Sequence, residues 1–129
     1  MDHAARTAFL EQPLTAVLST LNPDGTIHAV PVWYRYLDGK LRIITGRGSR
    51  KHRNAVRSGR ATLCIDQREG GMRYVTAEGP VSVVDPITRE ERLALHTRYV
   101  GAEQAARRTA GNEHQEMVEL VLTPERWLG

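Results

Sequence analysis

The sequence predicts a mainly β (α+β) fold, an antiparallel barrel of six to seven short strands with short helices at its flanks. Two observations carry that prediction. Strand-type apolar runs recur between strong turn signals, Asn22-Pro23-Asp24-Gly25 and Asp38-Gly39 among them, and strands joined by tight turns pair antiparallel. Helix signals are few beside about six strands, which favours a small closed sheet over a layered α/β fold. At 129 residues, without a repeat, linker or low-complexity segment, the chain reads as one domain, 1–129.

In chain order, residues 3–11 read as a short amphipathic helix with Asp2 as its cap, stopped before Pro13. The run LTAVLSTL, 14–21, is a first strand, and the turn at 22–25 ends it. The run 26–37 is a second, long strand, in which Pro31 marks an edge, a bulge or a bend. Asp38-Gly39 turns the chain into a third strand, KLRIITG. Ser49 caps a helix to about Arg57, and Gly59 suits its end. RATLCID is a fourth strand, and residues 73–85 give one or two more, with an interruption at Gly79-Pro80. Asp85-Pro86 is expected to start a helix running to Tyr99, followed by a second from Ala102 to Arg108 that Gly111 breaks. QEMVELVL, 115–122, is the last strand.

Composition narrows the class. Apolar residues make up 40% and charged residues 26%, a globular balance. No stretch approaches the roughly 20 apolar residues of a membrane span, and the N-terminus lacks an apolar signal core, so a cytoplasmic location is expected. Cys64, the only cysteine, lies in an apolar run and reads as a small buried hydrophobe. The histidines at 3, 28, 52, 96 and 114 show no metal-ligand spacing, so no metal is expected.

Net charge is only +3, but it is unevenly spread: Arg47, Arg50, Lys51, Arg53, Arg57 and Arg60 crowd one acid-free segment, 47–60. Within it a strand ends in a Gly-rich loop and a helix begins at Ser49. The first N–H groups of a helix are unpaired and carry the positive end of its dipole. Ser49 can add a hydroxyl, Arg50 or Arg47 a two-pronged guanidinium, and Lys51 a compact full charge. Gly46 and Gly48 let backbone approach an anion closely. A phosphate site, a solvated basic face and a nucleic-acid footprint all fit this pattern. Aromatics at 5% and the lack of a nucleic-acid-binding motif weigh against the last.

The arrangement T-x-x-x-S-R-K-x-x-N, here Thr45, Ser49, Arg50, Lys51 and Asn54, resembles the pyridoxamine 5′-phosphate oxidase-like superfamily. The pieces STLNPDG, HAVPVW and DGKLRIIT are similar to its actinobacterial F420/FMN-dependent oxidoreductase branch, and the likeness is best over residues 5–84. The resemblance implies a split β-barrel and a homodimer with cofactor sites along the subunit interface. It places Arg50 and Lys51 on the cofactor phosphate with Ser49 and Thr45 in support, and Val30, Pro31, Val32 and Trp33 beside the ring. Asn54 belongs to the motif, either at the site or as a structural hydrogen-bonder. The family's oxidases carry a C-terminal Arg-Leu-His segment; this sequence closes on TPERWLG, which turns the expectation away from oxidase activity.

The cofactor implied is F420, with FMN as the alternative. F420 is the longer and more anionic of the two, and the additional cations at 47, 53, 57 and 60 would complement its glutamate tail. The reaction implied is hydride transfer between the bound ring and a small organic substrate. No residue stands out as its proton donor; Tyr34 and His28 are candidates by position alone. Two rivals belong to other classes: a flavin, deazaflavin or haem carrier without turnover, and a nucleic-acid-binding protein using segment 47–60.

Overall fold

The computed structural model describes residues 1–110 and 116–129. Gly111, His114 and the expected start of the last strand at Gln115 lie outside these residues. The elements are α1 (His3–Leu10), β1 (Ala16–Leu21), β2 (Ile27–Val32), β3 (Arg35–Leu37), β4 (Lys40–Gly46), α2 (Arg50–Ser58), β5 (Arg60–Gln67), β6 (Arg73–Val84), α3 (Arg89–Val100), α4 (Ala102–Ala110), β7 (Met117–Leu122) and β8 (Arg126–Leu128).

All pairings are antiparallel, in the order β2-β1-β5-β6-β7-β4-β3, with β8 added to the side of β6. This is the split barrel expected. Its two halves share β6, which pairs β5 through residues 73–80 and β7 through 81–84. The 73–85 run is thus one continuous strand, and Gly79-Pro80 marks the change of partner rather than a break. A Cβ at Gly79 would overlap the Thr123 carbonyl oxygen, so only glycine fits where the chain of β7 leaves the sheet. Inward residues of both halves, among them Leu18, Leu41, Ile43, Leu63, Ile65 and Leu120, form one core with Phe9 and Leu10 of α1.

The hairpin turns follow the sequence. Asp38 and Gly39 both take positive φ, the backbone a two-residue hairpin of matching twist requires. Asp2 accepts the Ala5 N–H at 2.7 Å, and Gly59 ends α2 in the left-handed region.

Three expectations need correction. The 26–37 run is two strands, because Trp33 and Tyr34 turn the chain between β2 and β3. Tyr34 is fully buried there, its hydroxyl 3.0 Å from the carbonyl oxygens of Leu10 and Gln12. The third helix begins at Arg89, not at Pro86: Thr88 accepts the Glu91 N–H at 3.1 Å, and Thr88-Arg89-Glu90-Glu91 is a capping-box sequence that outcompetes Asp85. β8 was not expected, since three residues give no readable period.

The end of α3 is latched to the start of the chain. Arg98 donates to the carbonyls of Leu10, Glu11, Gln12 and Tyr34, and Tyr99 donates to Leu14 at 2.7 Å. Near the other end of α3, Glu91 lies 3.4 Å from Arg35, which also pairs with the buried Glu119 at 2.8 Å.

Candidate functional site

The residues singled out at 45–51 come together where β4 passes into α2. Thr45 is the last buried side chain of β4, and its Oγ1 lies 3.0 Å from Ser49 Oγ. Ser49 caps α2 by accepting the His52 N–H at 3.3 Å. Gly48, at φ 83°, makes the tight turn, and its N–H is taken by His52 Nδ1 at 2.9 Å. That bond leaves the Gly48 amide committed, so the backbone donors still open at this helix start are the Arg50 and Lys51 N–H groups.

The six cations of the segment have different fates. Arg47 is locked between Asp85 and Glu116, which hold its guanidinium charged, and its hydrogen bond in turn holds the Asp85 carboxyl below its ordinary range. Arg60 pairs with Glu78 and Glu125, and Arg57 donates to Asn54 Oδ1 at 3.1 Å and to the Leu21 carbonyl. The acids that balance this cluster therefore come from far along the chain. Arg47 is not a free fork for an anion. Among the described residues, the side chains of Arg50, Lys51 and Arg53 form no ion pair or hydrogen bond. Arg50, Arg53 and Arg57, spaced along one face of α2, line a cavity of about 450 Å³ closed opposite by the turn residues Asn22, Pro23, Asp24 and Thr26. Asp24 is the one acid in that wall; its hydrogen bonds from Thr26, and more weakly the charge of Arg50, lower its pKa. The involvement of this turn was not legible in the sequence, though the i, i+3, i+7 spacing of the arginines was.

Asn54 is buried at 2% exposure and donates to Thr20 Oγ1 at 3.1 Å and Asn22 Oδ1 at 2.9 Å, tying α2 to the β1–β2 turn. It shapes the cavity from below as a structural hydrogen-bonder.

Val30 and Val32 face inward from the edge strand β2, half-buried, while Pro31 faces outward. Trp33 follows directly. No hydrogen bond, ion pair or ring contact among the described residues joins this strip to the Thr45–Lys51 group. Instead Trp33 stacks on Tyr99, centroids 4.6 Å apart at 6°, with His96 edge-on at 5.5 Å. Of the two proton-donor candidates, Tyr34 is sealed in the core, and burial pushes its pKa far above its ordinary value. His28 stays half-buried on β2 opposite Thr20. Cys64 is half-buried rather than fully enclosed.

The profile of the pyridoxamine 5′-phosphate oxidase family matches residues 2–129. The chain belongs to that family. Within it, an F420H2-dependent biliverdin reductase from Mycobacterium tuberculosis is 37% identical over 97 residues, 71% of this chain and 68% of the relative. Among solved structures, an F420 reductase superposes with a TM-score of 0.77 at 25% identity, covering 94% of each chain. A conserved hypothetical protein from Mycobacterium tuberculosis superposes at 0.79 and 23% identity, over 98% of this chain and 82% of its own. The two named reductases set the chain in the F420 branch of the family, among oxidoreductases. No helix among the described residues is long and apolar enough to cross a membrane.

Proposed function

We propose that the protein is an F420-dependent reductase that passes a hydride to a small organic substrate. The observation that carries this reading is the anion grip at the start of α2. Two open backbone N–H groups, a paired Thr45–Ser49 hydroxyl, and the uncommitted cations Arg50 and Lys51 converge where a cofactor phosphate would be held. Ser49 Oγ can accept from both His52 N–H and Thr45, which leaves its own hydrogen for the phosphate. The choice of F420 over FMN rests on the adjoining cavity. FMN ends at its phosphate, whereas three arginines along about 450 Å³ suit a cofactor that continues into a chain of carboxylates. When bound, the deazaflavin supplies the hydride; the protein positions it and excludes water.

A homodimer completes the reading. The grip and the Val30–Trp33 strip are separate within one chain, and the outer face of the β1–β2 half is apolar. Val17, Leu21 and Ile27 stand 41%, 43% and 62% exposed there, beside Ala29 and Pro31. A second copy packed on this face would cover it and bring one copy's strip toward the other's grip.

The test is a fluorescence titration with F420 and with FMN, on the wild type and on Lys51→Ala. The expected result is tight F420 binding, weaker FMN binding, and a loss of roughly tenfold or more in the variant, since a hydrogen bond to a charged group contributes about 1.5–3 kcal/mol. Failure of F420 to bind, or equal affinity in Lys51→Ala, defeats the reading. Biliverdin, the relative's substrate by name, is the first acceptor to try: substrate-dependent oxidation of reduced F420 separates an enzyme from a carrier.

A further inference from the structure

The helix start that forms the anion grip carries a histidine where such starts often carry a carboxylate or an amide. Ser49 caps α2 and accepts the N–H of His52, which stands at the third helical position. In the common reciprocal cap a Glu or Gln at that position reaches back to a backbone N–H. Here the His52 ring does so, and its Nδ1 takes the Gly48 N–H at 2.9 Å. A backbone N–H can only donate, so Nδ1 carries no proton and the ring is neutral, with its hydrogen on Nε2. The imidazolium has a hydrogen on both nitrogens and cannot make this bond. Its formation releases the Gly48 N–H beside the open N–H groups of Arg50 and Lys51, and adds a charge at the positive end of the helix. Charged neighbours of the half-buried ring are Arg50, Lys51 and Arg53 on its own helix. From other elements they are Arg47 in the β4–α2 loop, Asp85 just past β6 and Glu116 just before β7. The Asp85 carboxyl, lowered first by its Arg47 hydrogen bond, also feels the charge of His52.

We propose that His52 is the positioning residue of the cofactor site, and that its protonation adds the Gly48 amide and a further positive charge to the anion grip. The inference rests on the F420 reading of that site and adds its regulation. The cofactor phosphate is held more tightly as pH falls through the range in which histidine gains its proton, between about pH 8 and about pH 5. A glutamate in the same place would make the same cap but set a carboxylate against the phosphate, whereas neutral imidazole caps without repelling it. The F420 phosphate is a diester and takes up no proton in this range, so at the grip the change belongs to the protein.

Magnetic resonance reads the device without cofactor. In the nitrogen-15-labelled wild type the Gly48 amide is expected to titrate together with the His52 ring, whose Nδ1 carries no proton at about pH 8. Sulfate, an anion of fixed charge, is expected to bind at the Arg50 and Lys51 amides more tightly at about pH 5.5 than at about pH 8. His52→Gln keeps a side chain that caps at this position and never charges, so it should fold and lose both effects. Isothermal titration with F420 then gives the ratio of the variant's dissociation constant to that of the wild type, in which any titration of the cofactor's own ring cancels. That ratio is expected to rise roughly fivefold or more between about pH 8 and about pH 5.5. A Gly48 amide that does not follow the ring, a proton on Nδ1 at the higher pH, or a ratio that stays flat overturns the proposal. Failure of F420 to bind the wild type at either pH sinks the cofactor reading instead, and the Gly48 and sulfate measurements still decide the role of His52.

Discussion

Arg47 and Lys51 lie four residues apart, and the sequence offers both as anion ligands. Only their long-range partners separate them: Asp85 and Glu116 occupy Arg47, and nothing among the described residues occupies the Lys51 side chain. The local motif thus revealed which residue types gather at the start of α2, but not which of them a distant carboxylate would claim. His96 gives a pH prediction at the same scale. Its pKa in the folded chain lies below the ordinary 6.5, because burial and then Arg108 and Arg92 disfavour the imidazolium. The unfolded chain therefore takes up the proton first as pH falls. Stability is intact above pH 6.5, declines as pH drops toward the lower folded value, and levels off beyond it. Denaturant unfolding of wild type and His96→Gln across that window is expected to give a shallower decline in the variant. A decline of equal slope in both would count against it.

Among the elements, β6 depends most on one residue. Gly79→Ala would drive a methyl group into the Thr123 carbonyl where β6 changes partners, with an expected loss on the order of 3 kcal/mol in urea unfolding. Gly46→Ala is the contrast: its Cβ would meet nothing within 4 Å and its φ is ordinary, so stability should change by about 1 kcal/mol or less. Hairpins and caps were legible because their signals are local, as at Asp38-Gly39 and Ser49–Gly59. The start of α3 was misread although Thr88-Arg89-Glu90-Glu91 was in plain view, since Asp85-Pro86 offers the same kind of signal earlier. The split between β2 and β3 had one ambiguous local signal, Pro31 just before it, which an edge strand explains as well. It is set by Tyr34, whose hydroxyl reaches carbonyls more than twenty residues away.

For the molecule as a whole, the barrel was foreseeable and its strand order was not, since order depends on β6 serving both halves. Assembly is tested on the outer face of β1 and β2. Ile27→Asp places a charge at the end of that apolar surface; on the proposed homodimer it is expected to yield monomers in sedimentation and to weaken F420 binding. A variant that stays dimeric would move the interface elsewhere. The two anchors of α3 differ in kind. At its start the hold is a partly exposed ion pair, Glu91 on Arg35, which dissolved salt screens. At its end Arg98 grips four peptide carbonyls through hydrogen bonds that do not depend on a second charge. Added salt thus loosens this helix from one side only: it would swing out from Glu91 while Arg98 remains its hinge.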